Sequence, residues 1–271
     1  MTKRMSRTDL DLATIRDVYE NLHLAAREPE GVCYAEVDID GVRALWCIPT
    51  DCDMNRVLLH AHGGGTVIFS MHLDRKPVGH IAKAAGVRAL VLDYRRSPEH
   101  KFPAQIEDME RAYRWLLAKG IRAENIAVTG QSIGGNFAVS LAIELRNKGM
   151  AMPAAILSVS GWYDMELKND TIKSNAKKDK LLSRRVLEWF RESWLGGTDI
   201  AWSDPRVNLL YADLCRSRRP PPHPGVLRRS RSIGWRKRGV REASERCWPR
   251  CRPTFCFRRP TQFHLRRGPG T

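Results

Sequence analysis

The apolar positions of this chain change period along its length, from helical to strand-like and back. Residues 7–26 carry Leu10, Ile15, Val18, Tyr19 and Leu22 at helical spacing, with Thr8 placed to cap the run. Residues 32–48 alternate as two strands that meet at Asp40-Gly41, a dipeptide suited to a hairpin turn. A short apolar strand at 57–59 follows, then a helix over 73–85 and a continuous apolar strand over 88–93. Ile106, Met109, Tyr113 and Leu116 are spaced 3, 4 and 3 apart, which gives one apolar face to a helix over 103–119 that Gly120 ends. A strand over 125–129, a helix over 136–147 apolar enough to be buried, and a strand over 154–159 complete the regular part. Residues 166–180 are rich in Lys and Asn and predict a solvated loop. The run 181–195 is amphipathic and aromatic, through Val186, Trp189, Phe190 and Trp194.

Strands that alternate with helices of 10 to 15 residues predict parallel βαβ units, and so an α/β fold with a mostly parallel sheet flanked by helices. Such folds bind their ligands at the carboxyl ends of the strands. Three motifs fall there. The run 125–136 reads strand, then Gly130-Gln131-Ser132-Ile133-Gly134, then helix, the layout of a nucleophile elbow. A serine in so sharp a turn projects its hydroxyl clear of the backbone, and side chains two residues to either side would collide. The helix that follows aims its first N–H groups at the same point, where negative charge develops in acyl transfer. The second motif, His62-Gly63-Gly64-Gly65, closes the strand at 57–59. Its glycines let backbone N–H groups turn towards a ligand, and each oxyanion donor is worth about 3–4 kcal/mol of barrier. The third is Asp93-Tyr94-Arg95-Arg96-Ser97-Pro98-Glu99-His100-Lys101-Phe102-Pro103-Ala104. His60 and His62 alternate on one strand, but no acidic residue or third histidine beside them completes a metal site.

In this order and spacing, over roughly residues 30–214, the three motifs resemble the hormone-sensitive-lipase-like branch of the α/β-hydrolases, which holds bacterial carboxylesterases, acetyl-hydrolases and lactone hydrolases. The resemblance implies a cofactor-free serine hydrolase of small esters or lactones. It implies Ser132 as nucleophile, oxyanion donors at the N–H groups of Gly64, Gly65 and Ile133, and His62 as the residue that orients the glycine loop. It also implies a cap built from an N-terminal helical segment at 1–30 and an insertion at about 166–203, on a core spanning 31–214. The chain departs from the family's usual Asp-Ser-Ala at the elbow: Gln131 is uncharged, and Ile133 is bulkier than alanine beside the oxyanion hole.

Charge divides the chain. The net charge is +16, yet residues 215–271 alone carry 16 Arg and one Lys against two Glu, which leaves the first 214 residues near neutral. That places the basic character in one segment and makes nucleic acid an unexpected partner for the body. The seven cysteines, three before residue 215 and four from Cys215 onward, show no Cys-x-x-Cys pair, so a disulfide framework is not expected. No apolar run approaches 18 residues and the first residues lack a signal core, so the expectation is a cytoplasmic protein without a membrane span. A homodimer is compatible with this reading.

The pattern breaks near Leu214. The fold orders its triad Ser, then Asp or Glu, then His, yet no aspartate follows Asp213. The last 57 residues hold eight prolines and little apolar periodicity, and cannot supply two further core strands. Read one base later, the codons for Pro260-Thr-Gln-Phe-His264 permit Gln-His-Ser-Phe, and those for Cys247-Trp-Pro-Arg-Cys251 permit Ala-Gly-x-Asp-Val, pieces the resembled family has there in the reverse order of mention. Residues from about 215 onward are therefore read as an out-of-frame translation. The rival is a genuine basic tail that binds phosphate-rich surfaces. Within the chain as it stands, His264 is the candidate base and Asp164 the candidate acid, which leaves two alternatives to an active esterase: a catalytically impaired remnant, or a binding protein that uses its tail.

Overall fold

The computed structural model describes residues 11–179 and 181–214. Within them the expected elements form in the expected order. Helix α1 (Leu12–Glu20) leads, and a 3-10 turn (Asn21–Ala25) extends it. Its N-cap is Asp11, whose carboxylate accepts the Thr14 N–H at 2.9 Å. Thr8, the cap expected from sequence, lies outside the described residues. Strands β1 (Val32–Ile39) and β2 (Val42–Pro49) pair antiparallel. Asp40 and Gly41 both take the positive φ, 51° and 89°, that a two-residue hairpin turn needs.

Strand β3 (Asp53–Ala61) is longer than its apolar stretch suggests, because its first four residues are exposed and three of them, Asp53, Asn55 and Arg56, are polar. Then come α2 (Met71–Ala85), β4 (Val87–Leu92), α3 (Ala104–Ala118), β5 (Ile126–Gln131), α4 (Ile133–Asn147) and β6 (Ala155–Val159). The segment read as a loop contains a short helix, α5 (Asp170–Ser174), capped by Asn169. Polar composition hid it, since one helical turn needs a cap rather than an apolar stripe. Helix α6 (Arg184–Leu195) starts three residues later than expected, where the Ser183 hydroxyl caps it.

The six strands form one sheet in the order β1-β2-β4-β3-β5-β6. Strands β4, β3, β5 and β6 run parallel, and β2 joins them antiparallel. The chain leaves β3 towards β4 on one side and returns to β5 on the other. The strand order therefore reverses beside β3, and the crevice at such a point is where open α/β sheets bind ligands. Register fixes the level of that crevice. Ala61 lies opposite both Leu92 and Gly130, so His62, Asp93 and Gln131 lie level at the carboxyl ends of their strands.

Both faces are covered. Val57, Leu59, Leu90, Ile126 and Val128 meet Met109, Tyr113, Leu116, Phe137 and Leu141 of α3 and α4. On the other face Leu45, Ala89 and Val91 pack against Met71, Val78 and Ala82 of α2. All four positions of the stripe expected on α3 are buried. Helix α6 docks through Trp194, whose indole N–H donates to Gln105 Oε1 at 2.9 Å while its ring meets Phe137 at 5.6 Å, edge-on. No helix among the described residues is long and apolar enough to cross a membrane.

Phe137 joins the nucleophile-turn helix to both Trp194 and Tyr94, whose rings lie 5.6 and 5.2 Å away. Phe137→Ala should cost about 3–5 kcal/mol of stability, the usual range for removing a buried aromatic ring, as read by urea unfolding with an unchanged m-value.

Candidate active site

Strand β5 and helix α4 meet at Ser132, which holds φ 54° and ψ −121°. A residue with a Cβ rarely adopts that conformation, and it costs on the order of 1–3 kcal/mol. The surroundings impose it. A Cβ on Gly130 would run into the Gly134 carbonyl, and one on Gly134 into the carbonyls of Ala61 and His62. Only glycine on both sides lets α4 start this close to the end of β3. The Ser132 N–H donates to Val159 O at 3.0 Å, and its carbonyl accepts from Gly135 at 3.0 Å and Trp162 at 3.0 Å. With its backbone thus held by β6, α4 and the loop after β6, the serine side chain is directed out of the turn and half-buried. Ile133, fully buried, opens the first turn of α4, where N–H groups have no intrahelical acceptor.

The glycine loop after β3 lies alongside. A Cβ on Gly63 would stand 3.5 Å from Ser132 Cβ, so loop and elbow are in near contact. Gly64 and Gly65 have φ 90° and 60°. The Gly64 carbonyl turns inward, accepting the N–H groups of Val67 and Ile68 at 3.0 Å each. Among the described residues no acceptor takes the N–H of Gly64, Gly65 or Ile133. The space a Gly65 Cβ would need is filled by the ring of Phe190 from α6. Phe190 packs with Tyr19, Val67 and Ile68, and with Phe69 and Trp162 at the margin. Helices α1 and α6 thus meet over the glycine loop.

His62 is buried and held by three contacts. Its Nδ1 lies 2.9 Å from Gly63 O, which can only accept, so Nδ1 carries the proton. Burial pushes its pKa down and the ring is neutral. The ring stacks on Tyr94 at 4.1 Å. Tyr94 in turn donates to the carbonyls of His62 and Gly63, at 3.1 Å each. His62 Nε2 faces Asp93 Oδ1 at 4.0 Å, beyond a hydrogen bond. His60, two residues earlier, spans Thr129 Oγ1 at 2.6 Å and Asp74 Oδ2 at 3.0 Å, tying β3 to β5 and to the first turn of α2. The alternating histidines are therefore two separate structural ties, and no group of three or more metal-ligating side chains occurs among the described residues.

Structure thus brings Ser132, Gly64, Gly65, Ile133 and His62 to one place. Asp164 is not joined to them. Its carboxylate accepts the Asn169 N–H at 2.9 Å and closes the turn before α5. His264 lies outside the described residues. Among those described, no side chain hydrogen-bonds the Ser132 hydroxyl.

Several supporting residues carried no separate signal in the sequence. Asn136 donates to Trp162 O at 3.0 Å and Val207 O at 2.9 Å, which anchors the loop behind the elbow. The Asp108 carboxylate, wholly buried, holds both the N–H and the side chain of Arg95. Glu99 pairs with Arg16 of α1 at 2.5 and 2.8 Å. Tyr94, Arg95 and Glu99 belong to the third motif, whose pattern marked the segment but gave no residue a role.

A sheet whose strands end level at a glycine-flanked, positive-φ serine beside a glycine-rich loop defines an α/β-hydrolase. A family model for the alpha/beta hydrolase fold matches residues 58–222. The chain is 29% identical over 205 residues to a putative acetyl-hydrolase, LipR, of Mycobacterium tuberculosis, covering 76% of this chain and 66% of that protein. It is 30% identical over 167 residues to an esterase of Acinetobacter venetianus, covering 62% and 55%. The fold superposes with a TM-score of 0.74 and 36% identity on the crystal structure of an esterase from the bacterial hormone-sensitive lipase family, over 79% of this chain and 71% of that one. The chain belongs to the α/β-hydrolases, in their hormone-sensitive-lipase-like branch. It spans between about half and two-thirds of the length of these two curated relatives.

Two outcomes follow from the geometry. Ser132→Gly should be more stable than Ser132→Ala by about 1 kcal/mol, because only the glycine releases the strained φ; paired unfolding curves of the two variants measure this. Glu99, held at about 2 by its hydrogen bonds to Arg16, against an ordinary 4.5, contributes stability that is fully present above pH 4.5 and lost as pH falls towards 2. Glu99→Gln should therefore flatten the acid limb of the stability curve in that window and leave its shape near neutrality unchanged.

Proposed function

We propose that this chain is a serine hydrolase of small carboxylic esters or lactones that works through an acyl-enzyme on Ser132. The observation that carries the reading is the backbone of Ser132, a non-glycine residue held at φ 54° beside a loop whose Gly64 and Gly65 N–H groups meet no acceptor among the described residues. A plain strand–helix turn has no need of that strain. The relatives named as esterase and acetyl-hydrolase point to the same chemistry.

In this mechanism the Ser132 oxygen attacks the ester carbonyl carbon while its proton passes to a base. The oxyanion is met by the N–H groups of Gly64, Gly65 and Ile133. The alcohol leaves with the proton, and water then hydrolyses the acyl-enzyme and regenerates the serine. His62 acts on loop geometry alone, since its ring is fully buried and neutral and its Nδ1 proton is held by Gly63 O. Phe69, Trp162 and Phe190 stand around the loop and restrict the acyl group to small size. Within this chain the base falls to His264. Asp164 would have to leave the Asn169 N–H to serve as acid, which weighs against it. Residues 1–30 and 166–203 act as the cap.

A second reading is favoured by a Ser132 hydroxyl that meets no side-chain partner among the described residues: a relative that retains the elbow and oxyanion loop but has lost its base. Removing the base lowers kcat by about 10⁶, while oxyanion stabilisation and binding retain roughly 10³–10⁴ over water. Short p-nitrophenyl esters separate the two. An intact triad gives turnover with acetate and butyrate that Ser132→Ala abolishes and His264→Ala lowers by about 10⁴-fold or more. A remnant gives a rate near background that His264→Ala leaves unchanged. In that case the nucleotide sequence across codons 205–271 should carry an acid turn and Gln-His-Ser-Phe in the next frame.

A further inference from the structure

The glycine loop is strained and is held from outside. Gly64, Gly65, Thr66 and Phe69 all have φ between 60° and 90°, and two of them carry a Cβ. Such a segment persists only where its surroundings over-determine it. Three of its carbonyls are taken by donors from elsewhere. Ser97 N–H donates to Thr66 O at 2.9 Å. Arg96 Nη1 donates to Phe69 O at 2.9 Å. Arg16 Nε donates to Val67 O at 2.8 Å.

Ser97 and Arg96 belong to the loop after β4, part of the hydrolase body. Arg16 comes from α1. Its Nη2 also donates to Ser97 O at 2.9 Å, and the far side of its fork holds Glu99. The contacts close a ring. Ser97 gives its N–H to Thr66 O and its carbonyl to Arg16, and Arg16 returns to Val67 O, next in the chain. A planar guanidinium can serve three acceptors in one plane in this way, and an ammonium cannot. Glu20, one turn further along α1, accepts from the Ser70 hydroxyl at the end of the same loop.

We infer that Arg16 is a positioning residue for the oxyanion loop, acting through the Val67 carbonyl and the Ser97–Glu99 segment, so that α1 sets loop geometry as well as covering it. The inference rests on the proposed esterase reading for its effect on turnover, but not for the clamp itself. If Arg16 only glued α1 to the surface, its loss would loosen α1 and leave the loop intact.

The test compares wild type, Arg16→Gln, Arg16→Lys and Glu99→Gln in the full chain. Two readouts are taken: amide hydrogen exchange at Val67 and Ile68, and hydrolysis of p-nitrophenyl acetate. Both amides donate to Gly64 O and so report the loop directly. Arg16→Gln should speed their exchange on the order of tenfold, the scale of one charge-assisted hydrogen bond, while core amides of β3 and β5 keep wild-type protection. It should lower kcat with KM little changed, as expected when donors drift from the transition-state oxyanion. Arg16→Lys should not restore either readout, and Glu99→Gln should weaken both partially without touching the loop. Wild-type exchange at Val67 and Ile68 in Arg16→Gln, or full rescue by lysine, overturns the inference. Absence of turnover in wild type counts against the esterase reading, and the exchange readout still decides the clamp.

Discussion

The structure depends on the close approach of three backbones, the end of β3, the end of β5 and the start of α4. Gly134 sits where any side chain would strike Ala61 O and His62 O, and Gly130 where one would strike Gly134 O. That steric constraint forces the residue between them into a positive φ and sends its side chain outwards. Since β3 and β5 are hydrogen-bonded neighbours in fixed register, it also places the glycine loop beside the serine. One contact between main chains thus couples fold, strain and site geometry.

The polar network around this point serves the backbone more than the chemistry. His62, Tyr94, Asn136, Asp108, Ser97, Arg96 and Arg16 each satisfy main-chain groups in segments that have no strand or helix to satisfy them. Buried main-chain polar groups left unpaired are costly, and in the glycine loop only the Gly64 carbonyl is met by the loop's own N–H groups, so the carbonyls of Thr66, Val67 and Phe69 take donors from elsewhere. The third motif therefore behaves as scaffolding. Its tyrosine, arginines and glutamate brace the glycine loop and α3 without facing the serine.

Much of this was legible in the sequence, for reasons that differ by element. The α3 stripe, the Asp40-Gly41 hairpin and the buried strands follow from periodicity and turn chemistry. The elbow and glycine loop were legible because glycine is required where backbones nearly touch. Helix α5 was not, since its single turn is set by Asn169 capping. Nor was the docking of α1 by Arg16, which joins residues more than 80 positions apart in sequence, through a segment whose motif gives no hint of its partner. The start of β3 was missed because its four exposed residues, Asp53-Met54-Asn55-Arg56, bury no alternating face.

The acid–base half of the site stands apart. The last charged residue described with the body is Asp213, and His264 lies outside the described residues. The family match ends at residue 222, close to the point where composition turns to arginine and proline. The half that is described makes a sharp demand: if the strained turn exists to present a nucleophile, Ser132 must be the most reactive hydroxyl in the chain. Peptide mapping by mass spectrometry after exposure to a fluorophosphonate tests this directly. A single adduct on Ser132, absent from the Ser132→Ala variant, is the expected result. No adduct, or adducts scattered over other serines with Ser132 unmodified, would contradict the assignment of this chain as a serine hydrolase.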